Sequence, residues 1–159
     1  MNKSLIFTFL LFCCAATLQA KDYTLIKQLP ARLIDLQKQA HKGWDTGNTG
    51  DMKEATGRYN EALIQIIKDL VTAYYPKDYL PADHIDAYLK ALYTLHHFKQ
   101  DAANPGGEFQ GTAAGLEVLS AVSDELLTAI SDMVQAISEG DPGFDYAQWK
   151  KSWERALKK

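Results

Sequence analysis

Apolar residues recur along most of this chain at alternating steps of three and four, the spacing that lines one face of an α-helix. The longest such segment runs from Asp51 to Pro76. Met52, Ala55, Tyr59, Leu63, Ile66, Leu70 and Ala73 form its stripe, and Ala62, Ile67 and Tyr74 widen it. Asp51 with Glu54 reads as a capping box at its start, and Pro76 forbids its continuation.

Before this segment, Ile26, Leu29, Leu33, Leu36 and Ala40 hold one face across Pro30. Proline fits best in the first turn of a helix, so the pattern predicts a helix that starts at Pro30 and ends near Lys42. Residues 22–28 then make a separate turn or an extended arm; a longer helix kinked at Pro30 is the alternative. GWDTGNTG, from Gly43 to Gly50, reads as a glycine-rich loop.

Beyond Pro76, the stretch PKDYLP reads as a stiff break, and a third helix follows from residues 81–83 to about Ala102. It carries Ile85, Tyr88, Leu89, Leu92, Leu95 and Phe98. A fourth spans Thr112 to Ser138 with Leu119, Val122, Leu126, Ile130, Met133 and Ile137 inward. Its outer face holds Glu117, Asp124, Thr128, Ser131 and Gln135. Gly140 and Asp141-Pro142-Gly143 end it. A short fifth helix starts at Asp145, which with Gln148 makes a second capping box, and Phe144 is placed to staple onto Trp149. Trp149, Trp153 and Leu157 mark its inner side. Four long helices joined by short breaks predict an all-α, up-down-up-down four-helix bundle clasped by the fifth helix.

GRYNEAL, Gly57 to Leu63, resembles the second helix of a tetratricopeptide repeat, and Pro76 stands roughly where such a repeat ends. That resemblance implies a helical-repeat adaptor. No second copy occurs at a matching period, and a lone repeat cannot bury its own face.

Composition changes the picture at the N-terminus. Lys3, the apolar run Leu5–Ala16 and the small residue Ala20 have the three-part form of a signal peptide, with cleavage after Ala20 expected and Ala16 as the alternative. The domain proper is then residues 21–159, and the expected destination is the periplasm or the exterior. The apolar run is shorter than the roughly 20 residues that span a bilayer, so a transmembrane anchor is not expected.

The chain's 2 cysteines, Cys13 and Cys14, both lie in this leader. Thiol chemistry, disulfides and cysteine-ligated metals are therefore excluded from the mature chain. Lipid attachment there is disfavoured because Phe12 and Cys13, which precede them, are not the small residues that processing needs. A net charge of −3 without a basic block, apart from the C-terminal tail, excludes a nucleic-acid surface.

Candidate chemistry is sparse. His41, His84, His96 and His97 are the histidines, and His96, at the edge of the third stripe, is the weak metal candidate. A non-covalent haem would pair His96 with Met52 or Met133. The Asp45 loop misses the ligand positions of a calcium hand at Gly47 and Thr56. Carboxylates such as Glu54, Glu61, Glu117, Asp124 and Glu125 read as solvated faces, and no catalytic motif occurs.

Aromatic side chains gather at the breaks: Trp44, Tyr74, Tyr75, Tyr79 and Phe109 are the candidate partner-binding residues. The expectation is an exported, non-enzymatic helical protein that binds another exported or envelope protein, as an immunity or inhibitor protein or an envelope accessory factor. Haem or metal carriage is the alternative, and carboxylate-based catalysis ranks third.

Overall fold

A computed structural model describes residues 20–77, 79–80, 82, 84–86, 88–90, 93 and 113–158. All regular structure among these residues is helical. No described helix is long and apolar enough to cross a membrane. Helix α1 spans Thr24–Trp44, α2 Thr49–Tyr74, α3 Ala113–Ser138 and α4 Tyr146–Leu157; a 3-10 turn, Tyr75–Lys77, follows α2. The signal peptide expected at residues 1–20 lies, but for Ala20, outside the described residues. Of the third predicted helix, residues 82, 84–86, 88–90 and 93 are helical. Ile85 and Tyr88 pack against the core as expected, but Leu89 is exposed.

Helix α1 corrects the reading of Pro30. It begins at Thr24, six residues earlier than predicted, and runs unbroken through the proline. Proline has no N–H to give the carbonyl four residues before it, which here is that of Ile26. The indole Nε1–H of Trp149 donates to that carbonyl instead, at 2.8 Å and fully buried. A side chain from the far end of the chain thus supplies the hydrogen bond that the proline withholds.

The glycine loop also shrinks. Only residues 45–48 lie between α1 and α2, and the cap of α2 is Asn48, not Asp51. Its side-chain oxygen accepts from the backbone N–H groups of Gly50 at 2.8 Å and Asp51 at 3.2 Å, as a helix start requires. Gly43 is needed for the close approach of the two helices: a β-carbon there would stand 2.6 Å from that of Ala55. So short a connection makes α1 and α2 antiparallel neighbours, and Arg32 to Asp69 at 2.9 Å bridges them farther along.

Helix α2 is the centre of the packing. It lies against α1 on one side and α3 on the other, while α4 packs on α1 and more lightly on α3. The predicted stripes meet here. Leu29, Leu33, Leu63, Ile66, Ile67, Leu70, Leu126, Ile130, Met133, Ile137 and Trp153 are fully buried. One polar link crosses this interior. Asn60 of α2, wholly buried, donates to the Leu119 carbonyl at 2.9 Å and accepts from the Ser123 hydroxyl at 2.5 Å.

The residues before α1 tie down the other end. The Lys21 ammonium donates to the Ile137 carbonyl at 2.7 Å, and the Tyr23 hydroxyl to Asp141 at 2.7 Å. Tyr23 also stacks on Phe144 at 4.4 Å. At the start of α4, Asp145 caps as predicted, accepting from Gln148 N–H at 2.9 Å. The inner side of α4 is made by Trp149, Trp153 and Ala156; Leu157, predicted inward, is 40% exposed.

Candidate functional site

The light contact between α3 and α4 leaves a cleft of about 870 Å³. Where the two helices touch, Tyr146 of α4 lies 3.3 to 3.4 Å from Gln135 and Ser131 of α3. Beyond that point, Lys150, Glu154 and Leu157 line one wall, and Leu116, Ser120, Asp124, Leu127, Thr128 and Asp132 line the other. Each set falls at steps of three and four, so each wall is one face of one helix.

The floor comes from α1, α2 and the inner side of α4. Trp44, the last residue of α1, donates its indole N–H to the Thr56 hydroxyl at 3.0 Å and meets Tyr59 edge-on at 5.5 Å. Trp153 stacks on Trp149 at 5.5 Å behind the floor. Met52 and Gln37 complete it. Burial pushes the Tyr59 hydroxyl up to about 12, against a partial offset from the neighbouring Gln37 amide. It therefore stays protonated at any physiological pH.

Two polar features of the cleft are uncommitted. The Gln37 side-chain oxygen is buried and has no hydrogen-bond partner, an arrangement that costs roughly 1–3 kcal/mol unless a donor reaches it. Asp124, Asp132 and Glu154 form no ion pair among the described residues, and Lys150 is the cation lining the same space. The stretch Ala113–Ser138 contains no Lys or Arg at all. An apolar, aromatic floor between donor-hungry walls is suited to an elongated ligand with an apolar side and N–H or cationic groups.

The aromatic residues expected to form one contact surface do not converge. Trp44 lies in the cleft, against Thr56 and Tyr59 near the start of α2. Tyr74 and Tyr75 lie at the other end of α2, some fifteen residues or ~22 Å further along. Tyr74 is buried, and its hydroxyl donates to the Asp22 carbonyl at 2.5 Å. It works as an internal tie, not as a surface. Tyr75 is 49% exposed, and Tyr79 is partly buried with the Lys21 ammonium 4.6 Å from its ring centre. Phe109 and His96 lie outside the described residues. No group of His and carboxylate side chains suited to a metal occurs among the described residues.

The sequence pattern does not single out Gln37, Ser120, Asp132 or Glu154, and it places Asp124, Thr128 and Ser131 on a polar outer face. One signal was present. A solvated helix face normally carries long charged side chains of both signs, whereas this one has short hydroxyls and carboxylates with no cation among them. Compared with family models, with curated proteins and with solved structures, the chain matches none.

Proposed function

We propose that the chain is exported by its first twenty residues and acts in the periplasm as an antiparallel helical bundle that binds another protein. The role would be that of an immunity or inhibitor protein, or of an accessory factor in an envelope complex. The observation that carries this reading is the α3–α4 cleft, in which an aromatic floor stands between walls whose carboxylates, Asp124, Asp132 and Glu154, form no ion pair among the described residues. These carboxylates are exposed and hydrated in the free protein, and a cationic partner exchanges that water for charge-assisted hydrogen bonds.

The lining stripe from Leu116 to Asp132 extends ~24 Å along α3 at ~1.5 Å per residue, longer than a compact metabolite and typical of a protein segment. The binding surface in this reading is therefore the cleft with Trp44 in its floor, and Tyr75 at the far end is peripheral.

Site-specific photo-crosslinking in the native cells tests this. A crosslinking residue at Thr128 is expected to capture a discrete second protein, whereas the same residue at Tyr75 captures none. Capture from Tyr75 alone would move the contact to the aromatic end, and no protein captured from Thr128 would overturn the reading.

A further inference from the structure

We infer that the occupant of the cleft is a basic amphipathic α-helix of a partner protein, laid along α3 with its apolar face on Trp44, Met52 and Leu127. This deepens the protein-binding reading and rests on it.

Three observations point to this occupant. First, the cleft is a space between two helices with a floor made by two more. Its walls present side chains at steps of three and four, Lys150, Glu154 and Leu157 on α4, and Leu116, Ser120, Asp124, Leu127 and Thr128 on α3. Ridges of that spacing are complementary to the ridges of another helix. A segment of about sixteen residues in helical form matches the ~24 Å length, and 870 Å³ spread over that length leaves room for a helix pressed in by one face.

Second, the sign of the charge is definite. Asp124, Asp132 and Glu154 face the space with Lys150 the opposing charge, a net charge of −2 among the described lining residues. Helix α3 has no cation of its own. An acidic segment placed here would meet like charge with little to relieve it, whereas Lys or Arg side chains would neutralise three carboxylates that no described residue pairs.

Third, the floor holds a buried amide with an acceptor to spare. Gln37 hydrogen-bonds to Tyr59 through its amide, and its oxygen has no partner of its own, so an N–H from a Lys or Arg tip finds an acceptor there that an acyl chain or an aromatic hydrocarbon does not use.

Selection from a displayed library of random segments, each about eighteen residues long, tests the inference on the protein recovered from expressing cells. The expected winners carry Lys or Arg on one helical face and Leu, Ile or Phe on another, and their binding weakens as salt is raised. Asp124→Lys with Asp132→Lys should weaken them roughly tenfold or more. Glu117→Lys with Glu125→Lys makes the same change in net charge outside the cleft and should leave them within about twofold. Thr128→Trp should block binding by filling the cleft. All five of these residues are on the surface of α3, and a melting curve for each variant confirms that it is folded.

Acidic or neutral winners, winners without helical spacing, equal losses in both double variants, or no enrichment at all would each overturn the inference. A protein crosslinked from Thr128 through a segment that is not basic and helical would also overturn it while leaving protein binding intact. Native mass spectrometry showing instead a small molecule that Thr128→Trp displaces would overturn both.

Discussion

At the scale of single residues, the proline in α1 and the tryptophan in α4 are one device. Pro30 deprives the Ile26 carbonyl of its helical donor, and Trp149 supplies another. Trp149→Phe leaves a buried acceptor unsatisfied and should cost about 1–3 kcal/mol in urea unfolding. In a Pro30→Ala background the new N–H at position 30 can donate to Ile26, so the same Trp149→Phe change should cost measurably less. Additive losses in that double-mutant cycle would show that the two side chains act independently.

Tyr23 is a second such residue, and it gives the pH dependence. Its hydroxyl donates to Asp141, and that bond, with the Gly143 N–H, holds the Asp141 carboxyl below its usual 3.8. A carboxylate with a depressed folded value adds stability above the unfolded value, and that stability is lost as pH falls through the folded one. In the other direction, burial and Asp141 push the Tyr23 hydroxyl well above its usual 10, and burial raises Tyr59 and Tyr74 to about 12. Their contribution is present in full below pH 10 and is lost as pH climbs through 12. Tyr23→Phe should therefore lower stability at neutral pH and flatten both the acid and the alkaline limb of a stability-versus-pH curve. Unchanged limbs would show that the Tyr23–Asp141 bond carries no linkage.

At the scale of elements, the α1–α2 hairpin is set by the close approach of α2 to Gly43, where a β-carbon would meet both the Ala55 side chain and, at 3.0 Å, the Asp51 carbonyl. The 2.6 Å that a β-carbon at position 43 would leave to Ala55 cannot be relieved by a rotamer change, because both atoms are bound directly to the backbone. Gly43→Ala should force the helix ends apart and cost roughly 1–3 kcal/mol. Ala55→Gly should recover part of that, net of about 1 kcal/mol for glycine within a helix. A Gly43→Ala variant as stable as the parent would mean the hairpin opens freely, and with it the end of the cleft where Trp44 sits.

How each helix end is read from sequence depends on what supplies its hydrogen bonds. The start of α4 was legible because Asp145, Gln148 and the aromatic stripe are neighbours in the chain. The start of α1 was not, because the group that makes Pro30 tolerable lies 123 residues from its acceptor. The cap of α2 was misplaced by three positions, since both Asn48 and Asp51 carry suitable oxygens and only the backbone course chooses between them.

At the scale of the whole molecule, stability and binding use different residues. Trp153 is buried beneath the cleft, and Trp153→Ala should cost about 3–5 kcal/mol through the void it leaves. Asp124 and Asp132 are exposed and support no internal bond, so their replacement by Lys should change unfolding free energy by no more than about 0.5 kcal/mol. Denaturant titration of the two variants checks the contrast. A large loss in the Asp124→Lys, Asp132→Lys protein would mean that these carboxylates belong to the fold and not to a site.

Helix class, the inward stripes and the last helix's cap follow from the sequence alone, because helical periodicity and capping are local properties that the chain carries within a few residues of each position. The face of α3 holding Asp124 and Thr128 is equally visible in the sequence, but whether it meets solvent, a neighbour or a cleft is not local. It depends on how firmly α4 closes on α3, and that is decided by Trp149 reaching Ile26 on α1, which draws the short helix toward α1 and leaves the α3 side open. Tertiary packing likewise turned Tyr74 from a candidate contact into a buried tie and put Trp44 in the floor of the cleft. Both are amphipathic side chains at helix ends, and only the position of the next helix determines which side of them is covered.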